Sequence, residues 1–191
     1  MEKLKFTTSI KADKKKVWDM MLQPATYMIW TTPFYPGSRY EGSLEKGSKI
    51  KFVGPDGSGM LSEVAESKPL EFISFRHYGE VKADGVEDTT SESVKAWAPS
   101  LENYTFTEKD GVTELTIEME TSPDFAKMFE GMWPKALEIL KDICERKTLI
   151  TVEAVVNADL DKTWKFWSDR NTSNNGLLHL TIGKLQKQKM T

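Results

Sequence analysis

The chain has 191 residues, 39% of them apolar and 29% charged, with a formal net charge of −3. This suits one domain, or one domain and part of another, and it excludes a wholly disordered chain. No run of about 18 apolar residues and no apolar signal core occurs, and Cys144 is the only cysteine. A spanning helix, intrachain disulfides and cysteine-based zinc clusters are thereby excluded, and the expected compartment is the cytoplasm.

Leu4 to Lys11 alternates, with Leu4, Phe6, Thr8 and Ile10 on one face, the pattern of a half-buried strand. Asp13 then caps a helix carrying Val17, Trp18, Met20 and Met21. Gly37 to Leu44 and Ser48 to Val53 read as strands, separated from the next by Gly54-Pro55-Asp56-Gly57. Met60 to Glu66, Leu70 to Val81, Glu102 to Lys109 and Val112 to Thr121 follow, the last two joined by Asp110-Gly111, a hairpin signal. From Ser122-Pro123-Asp124 the period becomes helical. Phe125, Met128, Phe129, Met132, Ala136, Leu140 and Ile143 form an apolar stripe, and Pro134 is expected to kink or restart the helix. The order predicts an α+β fold in which an antiparallel sheet buries its apolar face against one long helix.

Downstream the pattern begins again. Ile150 to Val156 alternates, and Asp159 opens a helix with Trp164, Phe166 and Trp167. At an offset of 146, Ala12-Asp13 meets Ala158-Asp159, Lys16 meets Lys162 and Trp18 meets Trp164. The expected organisation is a complete domain over 1–146 and the strand and helix of a second copy over 147–169.

Arg170 to Gly176 matches nothing in the first copy. Inserting one nucleotide before the Arg170 codon permits proline and tryptophan codons opposite Pro24 and Trp30, at the same offset of 146. Residues 170–191 are therefore expected to be an out-of-frame or irregular tail. Charge divides at the same place: residues 1–145 hold 18 Lys+Arg against 25 Asp+Glu, and 146–191 hold 8 against 4. So acidic a body disfavours nucleic acid as a partner. The strand and helix of 147–169 are expected to add to an edge or exchange between chains, giving a homodimer.

Several stretches resemble a known family. They are Ala12 to Trp18, Pro24 to Trp30, Asn103-Tyr104-Thr105-Phe106 before Asp110-Gly111, Thr113-Glu114-Leu115, and Gly131-Met132-Trp133-Pro134-Lys135-Ala136-Leu137. Together they resemble the helix-grip superfamily of START-type and birch-pollen-allergen-like (SRPBCC) proteins. Within it they are most similar to homologues of the activator of heat-shock protein 90 ATPase. The resemblance implies a curved antiparallel sheet around a long C-terminal helix, with two short helices after the first strand. It implies hydrophobic-ligand binding, chaperone regulation or, in some members, cyclase or hydrolase activity. Each of these motifs is a packing or turn motif, so the resemblance specifies fold more than function.

Chemistry-bearing residues are sparse. Only His77 and His179 exist, and no cluster has metal-ligand spacing, so neither a metal nor a cofactor is expected. Gly54 to Gly59 lacks the lysine and following helix of a phosphate loop and reads as a hairpin turn. The aromatic and methionine inventory says more. Trp30, Phe34, Phe52, Met60, Phe72, Phe75, Trp97, Tyr104, Phe106, Met128 and Met132 lie on elements that would face each other. They form either a packed core or the lining of a cavity between sheet and long helix. Arg76 and Tyr78 share a strand face with Phe72, placing them to orient a polar or carboxylate end of a ligand.

The expectation is a non-catalytic domain that binds a small apolar or amphipathic molecule in its interior, away from membranes. Two alternatives stay open. One is a chaperone-regulating interaction module; the other is an enzyme using Tyr104, Arg76 or His77 to polarise a carbonyl. A filled interior would favour the interaction module.

Overall fold

The computed structural model describes residues 1–146. The expected second copy over 147–169, the dimer contact assigned to it and the tail over 170–191 lie outside the described residues.

Alternation in β1 (Glu2–Ile10) and β8 (Val112–Thr121) makes them antiparallel partners, with Leu4 opposite Met119 and Phe6 opposite Ile117. Between them the chain forms α1 (Lys14–Leu22), α2 (Pro24–Trp30), β2 (Arg39–Gly42), β3 (Lys49–Val53), β4 (Gly59–Lys68), β5 (Phe72–Val81), β6 (Glu87–Asp88), α3 (Glu92–Lys95) and β7 (Ser100–Lys109). The long helix α4 (Pro123–Glu145) closes the domain. The eight strands among the described residues belong to one sheet, ordered β1-β8-β7-β5-β4-β3-β2, with β6 paired to β5. This is the helix-grip fold. The two-residue β6 and the single turn α3 were not anticipated, because elements this short carry no periodicity.

Local chemistry explains the boundaries. The Asp13 carboxylate accepts from the Lys16 N–H at 2.8 Å and starts α1. Pro24 opens α2 at a position whose N–H needs no helical partner. Asp110 and Gly111 both hold positive φ, 53° and 72°, as a tight hairpin between β7 and β8 requires. Gly59 ends the Gly54 to Gly59 turn where a Cβ would lie 1.9 Å from the Phe52 carbonyl oxygen, so no larger residue fits.

The core lies between the inner face of the sheet and α1, α2 and α4. Trp30, Ile50, Val64, Ile73, Leu115, Ile117, Trp133 and Leu140 are all buried there. Two expectations about α4 change. It runs unbroken through Pro134, and its inward stripe is Ala126, Phe129, Trp133, Ala136, Leu137, Leu140 and Cys144. Phe125 and Met128 are 48% and 40% exposed. Apolar residues occupy both possible stripes. The one containing Trp133 buries the largest ring, while Ala126 and Ala136 let the backbone approach the sheet.

Candidate functional site: a polar chain inside the aromatic core

Strand alternation and register determine what faces the interior. On β7 the inward positions are Ser100, Glu102, Tyr104 and Phe106; on β5 they include Ile73, Phe75 and His77. Register shifts in the β4–β5 pairing, between Leu61 and Ser62 and between Val64 and Glu66, mark bulges at Tyr78 of β5 and Ala65 of β4; between them Ser62 lies opposite His77 and Val64 opposite Phe75.

Four side chains from three neighbouring strands therefore connect. The Ser62 hydroxyl lies 2.7 Å from His77 Nδ1, and His77 Nε2 lies 3.4 Å from Glu102 Oε2. The Tyr104 hydroxyl donates to Glu102 Oε1. All three contacts are satisfied together when Ser62 donates to Nδ1 and the Nε2–H donates to Glu102. The chain is enclosed: Ser62 is fully buried, and the His77 and Glu102 side chains are 6% and 15% exposed.

Aromatic rings surround it. Phe52 lies 5.0 Å from Phe75 and 5.9 Å from the His77 ring, and Tyr27 lies 5.3 Å from Trp30 and 5.2 Å from Tyr40, all edge-on. Trp133 contacts Phe34, Trp30 and Tyr104 at 4.9, 6.2 and 6.1 Å. The rings thus pack against one another across the interior. Trp30 Nε1–H donates to the Met21 carbonyl at 2.9 Å, and the Tyr40 hydroxyl donates to the Leu22 carbonyl. Burial pushes both the Tyr27 and Tyr40 phenols up, and the nearby Glu102 carboxylate raises Tyr27 further.

Of the residues singled out from sequence, Trp30, Phe34, Phe52, Phe75, Tyr104 and Phe106 come together in this interior. The others do not. Phe72, Arg76 and Tyr78 share the opposite face of the sheet. Arg76 is exposed there and pairs with Glu63 at 2.7 Å, and Tyr78 packs on Val53, Leu61 and Val81. Arg76 therefore does not orient a ligand within the core. Trp97 is half-buried in the turn after α3, Met60 and Met132 are half-buried outside the core cluster, and Met128 is exposed.

Sequence reasoning passed over Ser62, Glu102, Tyr27, Tyr40 and Trp133. One signal was available for Glu102: it shares two-residue alternation with Tyr104 and Phe106. Ser62 had no such signal, because the bulges set which way it points. Among the described residues no acidic, histidine or cysteine cluster could hold a metal ion, and no helix is long and apolar enough to cross a membrane.

Fold and interior together define a helix-grip domain with a buried polar chain. Residues 11–145 match the family described as Activator of Hsp90 ATPase homolog 1-like protein, and the chain belongs to that family. The comparison with curated proteins gives no match. Among solved structures, protein MLL2253 from Mesorhizobium loti is similar at a TM-score of 0.58 and 18% identity, covering 78% of this chain and 100% of that one. The Aha1 dimer from Colwellia psychrerythraea gives 0.58 and 18%, covering 76% and 97%. CalU16 from Micromonospora echinospora gives 0.53 and 16%, covering 76% and 77%. At these identities the likeness concerns the fold alone.

Proposed function

We propose that this protein is a non-catalytic cytoplasmic binding domain that takes a small apolar or amphipathic molecule into the interior between sheet and long helix. One observation carries the reading: a carboxylate, an imidazole and phenols converge within an otherwise apolar, aromatic interior. Few convergent polar groups in an apolar surround is the chemistry of a small-molecule site. Affinity would come from buried apolar area, about 0.8 kcal/mol per CH₂, and orientation from the polar chain. Because these rings pack on one another, entry of a ligand moves some of them apart.

That ring packing favours a second reading, together with the exposed Met28 and Ile29 on α2 and Phe125 and Met128 on α4. Here the interior is only a core, and the protein is an interaction module regulating a chaperone, in keeping with the description of its family. Native mass spectrometry of the protein purified from its own host separates the two. A co-purifying small molecule, released on denaturation, is expected. A bare chain that stimulates a chaperone ATPase would overturn the first reading in favour of the second.

A further inference from the structure

Glu102 lies at an inward position of β7, and its two oxygens receive Tyr104 and His77. A carboxylate offers about four lone-pair sites, so roughly half of its acceptor capacity is unused. Tyr27 reaches the same cluster from α2, through Phe52 at 6.1 Å and Tyr40 at 5.2 Å between ring centroids. Tyr27 is half-buried, and its hydroxyl takes no hydrogen-bond partner among the described residues; since no fully buried side-chain polar atom there lacks one, the hydroxyl touches accessible space, and burial of the ring keeps it protonated. An unused acceptor and an unused donor thus belong to one interior. No lysine or arginine is among the buried residues described, and the His77 ring already serves Ser62 and Glu102.

We infer that the interior reads a neutral hydroxyl on its ligand, an alcohol or a phenol, which donates to Glu102 and accepts from Tyr27. This rests on the interior-binding reading and names the ligand chemistry that reading leaves open. An anionic end is disfavoured: it would meet Glu102 in a low-dielectric surround with no free cation to offset the repulsion. An ammonium group would satisfy Glu102 but leave the Tyr27 donor without an acceptor, and its desolvation is costly. The choice reverses the one drawn from Arg76 on sequence, because the charged side chain that turns inward is an acid.

The test uses the full chain and three matched probes at neutral pH: 4-propylphenol, 4-propylanisole, whose methyl ether removes the donor, and the 4-propylbenzoate anion. Binding is followed by NMR titration, reading the indole N–H of Trp30 inside the cluster. The phenol is expected to bind about fivefold to tenfold more tightly than the ether, as one hydrogen bond allows, and the benzoate more weakly than either. Tyr27→Phe removes the donor from which the phenol and ether oxygens both accept, and is expected to weaken each about fivefold while leaving their ratio, with an unchanged unfolding midpoint. If no probe shifts Trp30 or its neighbours, the interior-binding reading fails and this inference with it. If the ether or the benzoate binds as well as the phenol, or Tyr27→Phe binds the phenol as tightly as the wild type does, the hydroxyl inference is overturned while interior binding stands.

Discussion

His77 and Glu102 meet across β5 and β7, Nε2 to Oε2 at 3.4 Å, although in register His77 faces Ser100 and Glu102 faces Phe75. The contact is therefore diagonal between inward positions. It lets one carboxylate collect donors from its own strand, through Tyr104, and from its neighbour, through His77.

Removing that carboxylate should strand two donors. Glu102→Ala is expected to destabilise the fold by about 1–3 kcal/mol, because the Tyr104 hydroxyl and the His77 N–H lose their acceptor away from water. Glu102→Gln, which keeps one acceptor oxygen, should cost less. Urea unfolding measures both, and equal midpoints for wild type and Glu102→Ala would show that the chain contributes nothing to stability.

Arg76 and His77 are neighbours in sequence and face opposite ways. Arg76→Ala breaks only a half-exposed pair with Glu63, so its effect should stay below about 1 kcal/mol. His77→Ala leaves Ser62 and Glu102 without their partner and opens space beside Phe52, so it should cost more. A reversed order in thermal unfolding would place Arg76, not His77, on the inner face.

The orientation of α4 is tested in the same way. Trp133→Ala should cost about 3–5 kcal/mol, since the ring is buried against Phe6, Trp30 and Phe34. Phe125→Ser, on the exposed side, should fall within about 0.5 kcal/mol of wild type. Comparable losses in the two denaturation curves would mean that the stripe through Phe125 and Met128 is the buried one.

Cys144 is buried at the end of α4, where burial pushes its thiol up to about 12. Disulfide-exchange reagents at pH 8 should therefore label it only in urea. The raised value also has a pH consequence. Below the ordinary value of 9.0 both folded and unfolded thiols are protonated, and nothing is lost. Between 9.0 and about 12 only the unfolded thiol ionises, so stability should fall by about 1.4 kcal/mol per pH unit. A Cys144→Ala variant should lack this part of the alkaline slope, and an identical slope in the two proteins would refute the assignment.

The amino-acid order by itself determined the types of the longer elements, the hairpins at Gly54 to Gly59 and Asp110-Gly111, and an antiparallel sheet covered by one long helix; the helix-grip architecture was implied by the resemblance to a known family. Those signals are local: two-residue alternation, a helical period, a cap at Asp13, and glycine or aspartate where φ turns positive. Which side of each strand faces the core was only partly legible. Alternation sorts residues into two faces, but the sequence does not say which of two mixed faces is buried. On β5, Phe72, Arg76 and Tyr78 carry as much apolar and aromatic character as Phe75 and His77. Two bulges in the β4–β5 pairing and the register with β7 decided between them, and pairing is a long-range property. The same holds for α4, where two apolar stripes compete and the shape of Trp133 against the sheet selects one. Tertiary structure alone joined Ser62, His77, Glu102 and Tyr104, because their meeting depends on the register of three strands.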